Sequence, residues 1–143
     1  MHVLEADSIR LEFNRRVILS GIYLKCETGK ATGLFAANGQ GKSCLMNIIY
    51  GSLSCEKSVR IDQIFYQNAY KHTNLLSFLP QFHFIPKSFT LKKIFSDFSL
   101  DYGAFEKRFG EFHSKYRSSI SSLNAGAIRL VEVYIRARAP TYF

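Results

Sequence analysis

The feature of this 143-residue chain that most constrains its fold is a glycine-bearing loop at residues 36–43, which reads Ala-Ala-Asn-Gly-Gln-Gly-Lys-Ser. The short apolar run before it, residues 31–35, is predicted to be a buried strand. After the loop, Gly51 stands where a helix C-terminal glycine is common, and four apolar residues fall on helical spacing: Leu45, Met46, Ile48 and Ile49. The order strand, loop, helix is the setting in which a Gly-Lys-Ser triplet forms a phosphate-binding loop.

The residue types in this loop suit phosphate chemistry. Glycines let backbone N–H groups curve around phosphate oxygens, and the N-terminus of the following helix adds partial positive charge. Lys42 would reach the β and γ phosphates, and the Ser43 hydroxyl can ligate Mg²⁺. The pattern has its first glycine where this chain has Ala36. If that position needs a positive φ, alanine costs about 1–2 kcal/mol, which would either weaken nucleotide binding or tighten the loop differently. The predicted binding residues are Asn38, Gly39, Gln40, Gly41, Lys42, Ser43 and Cys44.

Strand patterns lie on both sides of the loop. Residues 8–13 and 21–26 alternate apolar and polar side chains, which predicts two half-buried antiparallel strands. Residues 57–66 are again strand-like, and an apolar run at residues 75–79 stops at Pro80.

Beyond Pro86 the apolar spacing becomes that of helices. A first stripe lies behind a possible Thr90 cap and comprises Leu91, Ile94, Phe95 and Phe98. A second comprises Tyr102, Phe105, Phe109 and Phe112. A third helix is predicted over residues 127–138, with one charged face formed by Arg129, Glu132 and Arg136, and with Glu132 four residues before Arg136.

Composition narrows the partners and the compartment. The net charge of +8 favours anionic partners, but the positive residues are scattered, so a solvated basic surface is the simpler interpretation and nucleic acid is not expected as a partner. The three cysteines have no metal-ligand spacing, and no stretch of 18 apolar residues occurs. We therefore expect reduced thiols and a cytoplasmic chain.

The loop, with Asn38-Gly39 inside it, resembles that of ATP-binding cassette (ABC) ATPases, where it commonly reads Gly-x-Asn-Gly-x-Gly-Lys-Ser. Three further stretches agree in order. Phe13 resembles the aromatic residue that stacks on adenine, although a core strand residue is its alternative interpretation. Residues 79–81, Leu-Pro-Gln, resemble the glutamine loop, and residues 122–129 resemble the signature.

The resemblance implies an α/β fold: a P-loop NTPase-like core with an N-terminal antiparallel β-subdomain and a C-terminal helical subdomain. Residues 1–81 would form the β-subdomain and phosphate-loop core, residues 82–138 the helical subdomain with the signature helix, and residues 139–143 the start of the next strand. It also implies ATP and Mg²⁺ as ligands, with Ser43 and Gln81 at the Mg²⁺ and Gln81 near the attacking water.

The signature is altered in two positions, since Leu-Ser-Gly-Gly is replaced by Leu-Asn-Ala-Gly at residues 123–126. In family dimers this loop faces the ATP of the other subunit, a role that would fall to Asn124 and Gly126. The alternative for Asn124 is a simple helix cap. The family's partners would be a second nucleotide-binding domain, arranged head to tail, and a membrane-spanning subunit that holds the protein at the inner face of the membrane.

In the family, the next strand, called Walker B, carries the catalytic carboxylates and lies beside the phosphate-loop strand; here it would fall after residue 143. We therefore expect weak Mg-ATP binding, no hydrolysis by this polypeptide alone, and an exposed apolar edge at residues 31–35. The leading hypothesis is the ATP-binding module of an ABC transporter. The alternatives are a non-hydrolytic nucleotide or nucleic-acid binding module and a non-functional fragment.

Overall fold

The computed structural model describes residues 1–138, which divide between Phe78 and Leu79 into two compact units. The first unit is built on an antiparallel sheet in the order β2-β1-β3-β4. Its strands are β1 (Val3–Phe13), β2 (Arg16–Glu27), β3 (Glu56–Ile61) and β4 (Ile64–Phe65). The predicted pairing of the two N-terminal strands is confirmed, and both strands are longer than their alternating patterns indicated.

A bulge in β1 explains how this strand keeps one face in the core. Leu4 and Ala6 are buried at even positions, whereas Ile9 and Leu11 are buried at odd ones. The pairing shifts between Ala6 and Ile9, where Ser8 adopts a φ of 54°. One extra residue reverses the side-chain alternation, so both halves of the strand face the same core.

The predicted strand at residues 57–66 is in fact a hairpin. Asp62 and Gln63 both have positive φ, 51° and 68°, as the two central residues of a tight hairpin turn require. The Asp62 carboxylate accepts a hydrogen bond from the Val3 N–H at 2.8 Å, which ties the turn to β1. The turn was missed because neither residue is a glycine or an asparagine.

The helix predicted after the loop is confirmed as α1 (Lys42–Tyr50). Its buried residues, Leu45, Ile48 and Ile49, pack in the core of the first unit, whereas Met46 is exposed. Gly51 ends the helix with a φ of 94°, and its N–H bonds back to the carbonyls of Asn47 and Ile48.

The buried strand predicted at residues 31–35 is wrong. These residues pair with no strand of the described part of the chain, and Phe35 is 93% exposed. A strand needs a partner for its backbone groups, and a run of apolar residues cannot supply one.

The second unit contains α2 (Leu91–Asp97), α3 (Tyr102–Arg108) and α4 (Ala125–Ala137) around an aromatic-rich core. Thr90 caps α2 as predicted, since its hydroxyl accepts from the Lys93 N–H. Phe98, predicted on the buried stripe, lies after the end of α2 and is 48% exposed. The second predicted helix ends at Arg108, and Phe112 reaches the core from a separate 3₁₀ turn, Gly110–Phe112.

Glu132 corrects the prediction that Arg129, Glu132 and Arg136 form one charged face of α4. It is completely buried, and its carboxylate pairs with Arg129 and His83 instead of Arg136. The Arg136 guanidinium lies over the Phe84 ring, 4.8 Å from its centroid. The predicted strand start at residues 139–143 lies outside the described residues.

Candidate phosphate-binding site

The loop at residues 36–43 connects an extended segment to the N-terminus of α1. Its first half is a turn in which the Gln40 N–H donates to the Ala37 carbonyl at 3.4 Å, with Asn38 and Gly39 at the centre. Gly39 has a φ of 82°, as the third position of a type II turn requires. The Asn38-Gly39 pair is therefore the local sequence signal for this turn.

Gly41 is needed for two separate reasons. Its φ of 85° lies in the left-handed region, and a Cβ atom there would come 2.9 Å from Cδ2 of Leu19 and 3.1 Å from Cγ2 of Ile18. The loop therefore passes closer to β2 than any residue with a side chain would allow. At Gly39, by contrast, a Cβ would meet nothing within 4 Å.

Ala36 does not carry the strain that the sequence suggested. Within residues 1–138, positive φ values in non-glycine residues occur elsewhere, and Ala36 is not among them. The alanine in place of the pattern's first glycine is thus compatible with this loop conformation.

The Lys42 ammonium lies across the start of the loop. It donates to the carbonyl oxygens of Ala36 at 2.6 Å and of Ala37 at 2.8 Å. These two hydrogen bonds link the end of the loop to its start. They also keep the Lys42 ammonium, the only positive charge within residues 36–43, bound to the loop backbone. Ser43 is exposed in the first turn of α1, next to Cys44, which is half-buried.

A cavity of about 500 Å³ opens beside the loop. It is lined by residues 16–20 and Ile22 of β2, by residues 34–36 and 39–42, and by Leu45. Its charged lining residues, Arg16 and Lys42, are both basic, and no carboxylate of the described chain lines it. The size suits a small-molecule site, and the charge suits an anion.

The other predicted site residues lie apart from this loop in sequence. Phe13 ends β1 and is 48% exposed, but it does not line the cavity. Gln81 is exposed in an irregular segment of the second unit. Asn124 caps α4, since its side chain accepts from the Ala127 N–H at 2.8 Å, and Gly126 lies in the first turn of that helix.

A group that the sequence pattern did not single out as a site surrounds Glu132. Its carboxylate accepts from the Phe84 N–H at 2.8 Å and lies 3.1 Å from Nδ1 of His83 and 3.2 Å from Nη1 of Arg129. Burial raises the pKa of Glu132, but these hydrogen bonds and the His83 charge outweigh burial and leave the pKa below its ordinary value. Spacing did carry a signal, because Glu132 stands on the stripe of Ile128 and Ile135.

Residues 1–138 contain neither a cluster of metal-binding side chains nor a membrane-spanning helix. No three histidine, cysteine, aspartate or glutamate side chains there are grouped so that they could hold a metal ion. No helix in that part of the chain is long and apolar enough to cross a membrane.

A glycine loop that leads into a helix, with the first lysine of that helix lying across the loop, is typical of the phosphate-loop class of nucleotide-binding proteins. Comparison with known proteins identifies the group within this class. The sequence model of the ABC transporter family matches residues 19–134, and the chain belongs to that family. The resemblance drawn from the loop and its companion motifs is thereby confirmed.

Solved structures agree on the fold. The nucleotide-free ATP-binding cassette of an ABC transporter superposes with a TM-score of 0.67 at 23% identity, covering 95% of this chain and 64% of that one. A putative ABC transporter ATP-binding protein from Pyrococcus furiosus gives 0.75 at 16% identity, covering 93% and 68%. The predicted α/β, P-loop NTPase-like fold class is confirmed.

A curated relative matches a shorter stretch. The xylose import ATP-binding protein of Brucella abortus (strain 2308) is 46% identical over 50 residues, which is 35% of this chain and 10% of that protein. The chain thus spans about two-thirds of the first of these solved cassettes and a tenth of this curated relative.

Proposed function

We propose that this chain binds Mg-ATP through residues 36–43, as part of the ATP-binding subunit of an ABC transporter. The observation that carries the proposal is the loop geometry: Gly39 and Gly41 both take left-handed conformations immediately before α1 begins at Lys42. In phosphate-binding loops, such an arrangement presents backbone N–H groups and a helix N-terminus to an anion. The basic cavity beside the loop supports the same conclusion.

Lys42 gives a physical reason for weak binding. Its ammonium already donates two short hydrogen bonds to loop carbonyls, and it must give them up to reach a phosphate. The net gain is the difference between charge-assisted bonds to phosphate and the bonds lost.

The residues present fit a Mg²⁺ ion that arrives with the nucleotide. The ion keeps several water ligands and takes phosphate oxygens, so one hydroxyl such as that of Ser43 at the exposed start of α1 is a sufficient protein contribution. Gln81 is the second proposed protein oxygen. Bound Mg²⁺ would neutralise phosphate charge.

Hydrolysis by this polypeptide alone is not part of the proposal. A general base must lie within hydrogen-bond reach of the attacking water, and no carboxylate or imidazole of the described chain lines the cavity. A single-turnover assay of phosphate release, with Lys42→Ala as the baseline, measures this directly. Release above that baseline would contradict it.

Family membership supports the wider setting. A second nucleotide-binding domain would meet this one head to tail, with Asn124 and Gly126 toward its ATP, and a membrane-spanning subunit would hold both at the inner face of the membrane. Phe13 is the proposed partner of the adenine ring.

Isothermal titration of Mg-ATP into the parent protein and Lys42→Ala tests the binding site. We expect the affinity to fall about 10- to 100-fold in the variant, because charge-assisted hydrogen bonds to phosphate are lost. Lys71→Ala removes an exposed lysine from the same unit and serves as the matched control. Equal affinities in all three proteins would refute the assignment.

A further inference from the structure

The buried carboxylate of Glu132 fastens a loop to α4. It accepts from the Phe84 N–H at 2.8 Å and faces Nδ1 of His83 at 3.1 Å. Both donors belong to the irregular segment that follows Pro80, whereas Glu132 belongs to the helix. One fully buried side chain thus holds the far end of this segment.

Arg129 holds the near end of the same segment. Its Nη1 donates to the Pro80 carbonyl at 2.7 Å and to the Glu132 carboxylate at 3.2 Å. Residues 80–84 are therefore attached to α4 at both ends. Between the attachments stand Gln81 and Phe82, both exposed.

Stability alone is a poor explanation for this cluster. Taking a carboxylate out of water is costly, and replacing a buried ion pair by packed apolar residues is often neutral or stabilising. Glu132 lies on the same buried stripe of α4 as the apolar residues Ile128 and Ile135. What the charged cluster provides is a fixed placement of the loop, since each of its contacts has a defined direction.

We propose that Arg129 and Glu132 are positioning residues for Gln81, making residues 80–84 and α4 one rigid piece. This inference rests on the proposed Mg-ATP site, in which Gln81 serves the ion. The helix that carries the two residues begins at Asn124.

A single tryptophan reports on the segment. The chain has no tryptophan, and Phe82 is 80% exposed, so Phe82→Trp places a unique probe next to Gln81. In this background we compare Arg129→Gln and Glu132→Gln with two matched controls at exposed positions of the same unit, Arg117→Gln and Glu111→Gln. The measurements are the fluorescence anisotropy of the introduced tryptophan and hydrogen exchange of the Phe84 amide, both without nucleotide.

We expect lower anisotropy in Arg129→Gln and Glu132→Gln, and about tenfold faster exchange of the Phe84 amide in Glu132→Gln. The controls should match the parent, and amides of α2 and α3 should accelerate less than the Phe84 amide in Glu132→Gln. Unchanged tryptophan anisotropy in both variants would overturn the proposal. Equal acceleration of amides throughout the unit would also overturn it, because the cluster would then only stabilise the fold.

Added Mg-ATP separates this inference from the proposed function. A change in tryptophan anisotropy with nucleotide should vanish in Arg129→Gln, because Gln81 is then no longer held in place. Persistence of the change in Arg129→Gln would count against the positioning role. If the parent and Lys42→Ala bind ATP alike, the proposed function fails, and the nucleotide-free measurements still decide whether the segment is held.

Discussion

Single residues in the loop illustrate how backbone conformation, rather than side-chain chemistry, fixes the site. Gly39 and Gly41 share a left-handed φ, but only Gly41 also lies against the side chains of Leu19 and Ile18. Ala36, which departs from the usual loop pattern, has no such conformation to satisfy. The two glycines are thus constrained to different degrees although they stand two positions apart.

Substituting each glycine by alanine separates the cost of a left-handed backbone from the cost of a steric clash with β2. We expect Gly39→Ala to lower the free energy of unfolding by about 1–2 kcal/mol, the cost of a left-handed alanine. Gly41→Ala should cost more, because the new Cβ would come 2.9 Å from a Leu19 methyl group and force it to move. Urea unfolding of both variants measures the difference. A smaller cost at Gly41 than at Gly39 would show that β2 does not pack on the loop as described.

The buried Glu132 predicts an acid-dependent loss of stability. Its pKa is below the ordinary value in the folded state, so its stabilising contribution is present above that ordinary value and is lost as the pH falls through the lowered one. We expect the free energy of unfolding to drop more steeply in the parent than in Glu132→Gln between neutral pH and about pH 3. Parallel pH profiles would show that the carboxylate gains nothing from its charge.

Elements were predictable where local signals and tertiary structure agree. The helix after the loop has apolar spacing, a glycine at its C-terminus and a core to bury, and it forms as predicted. The strand at residues 31–35 had only an apolar run as its signal, and that signal does not say whether a neighbour exists. The hairpin at Asp62 was missed because its turn residues are not the usual ones.

The same contrast holds for the candidate site. The glycine loop could be found from sequence because its residues are contiguous and each has a local reason. The Glu132 cluster joins α4 to a segment about 50 residues earlier, so no local pattern could pair its members. A charged residue on a buried stripe was the available signal, and it was interpreted as part of one charged face.

At the scale of the element, Asn124 is a helix cap. Its side chain accepts from the Ala127 N–H at 2.8 Å, and this bond satisfies one of the otherwise unpaired donors of α4. We expect Asn124→Ala to lower the free energy of unfolding by about 1 kcal/mol and Asn124→Ser to restore most of it, because serine also caps. Denaturant unfolding followed by the helical circular dichroism signal is the measurement. An equal loss in both variants would contradict capping as the role that matters for stability.

At the scale of the whole molecule, the described chain consists of two compact units that carry different elements. The first carries the sheet, the glycine loop and the basic cavity, and the second carries the three helices and the segment with Gln81. The ABC family relationship covers residues from both units. Phe35, next to the loop, is the most exposed of the large apolar side chains described in the first unit.

The measurement that tests the central claim most directly is the response of individual backbone amides to Mg-ATP, followed by nuclear magnetic resonance. If residues 36–43 cradle phosphate, the amides of Gly39, Gly41, Lys42 and Ser43 should show the largest shifts, because their N–H groups would bond to phosphate oxygens. The shifts should be lost in Lys42→Ala at the same nucleotide concentration. Shifts confined to other residues, or retained in Lys42→Ala, would contradict the account.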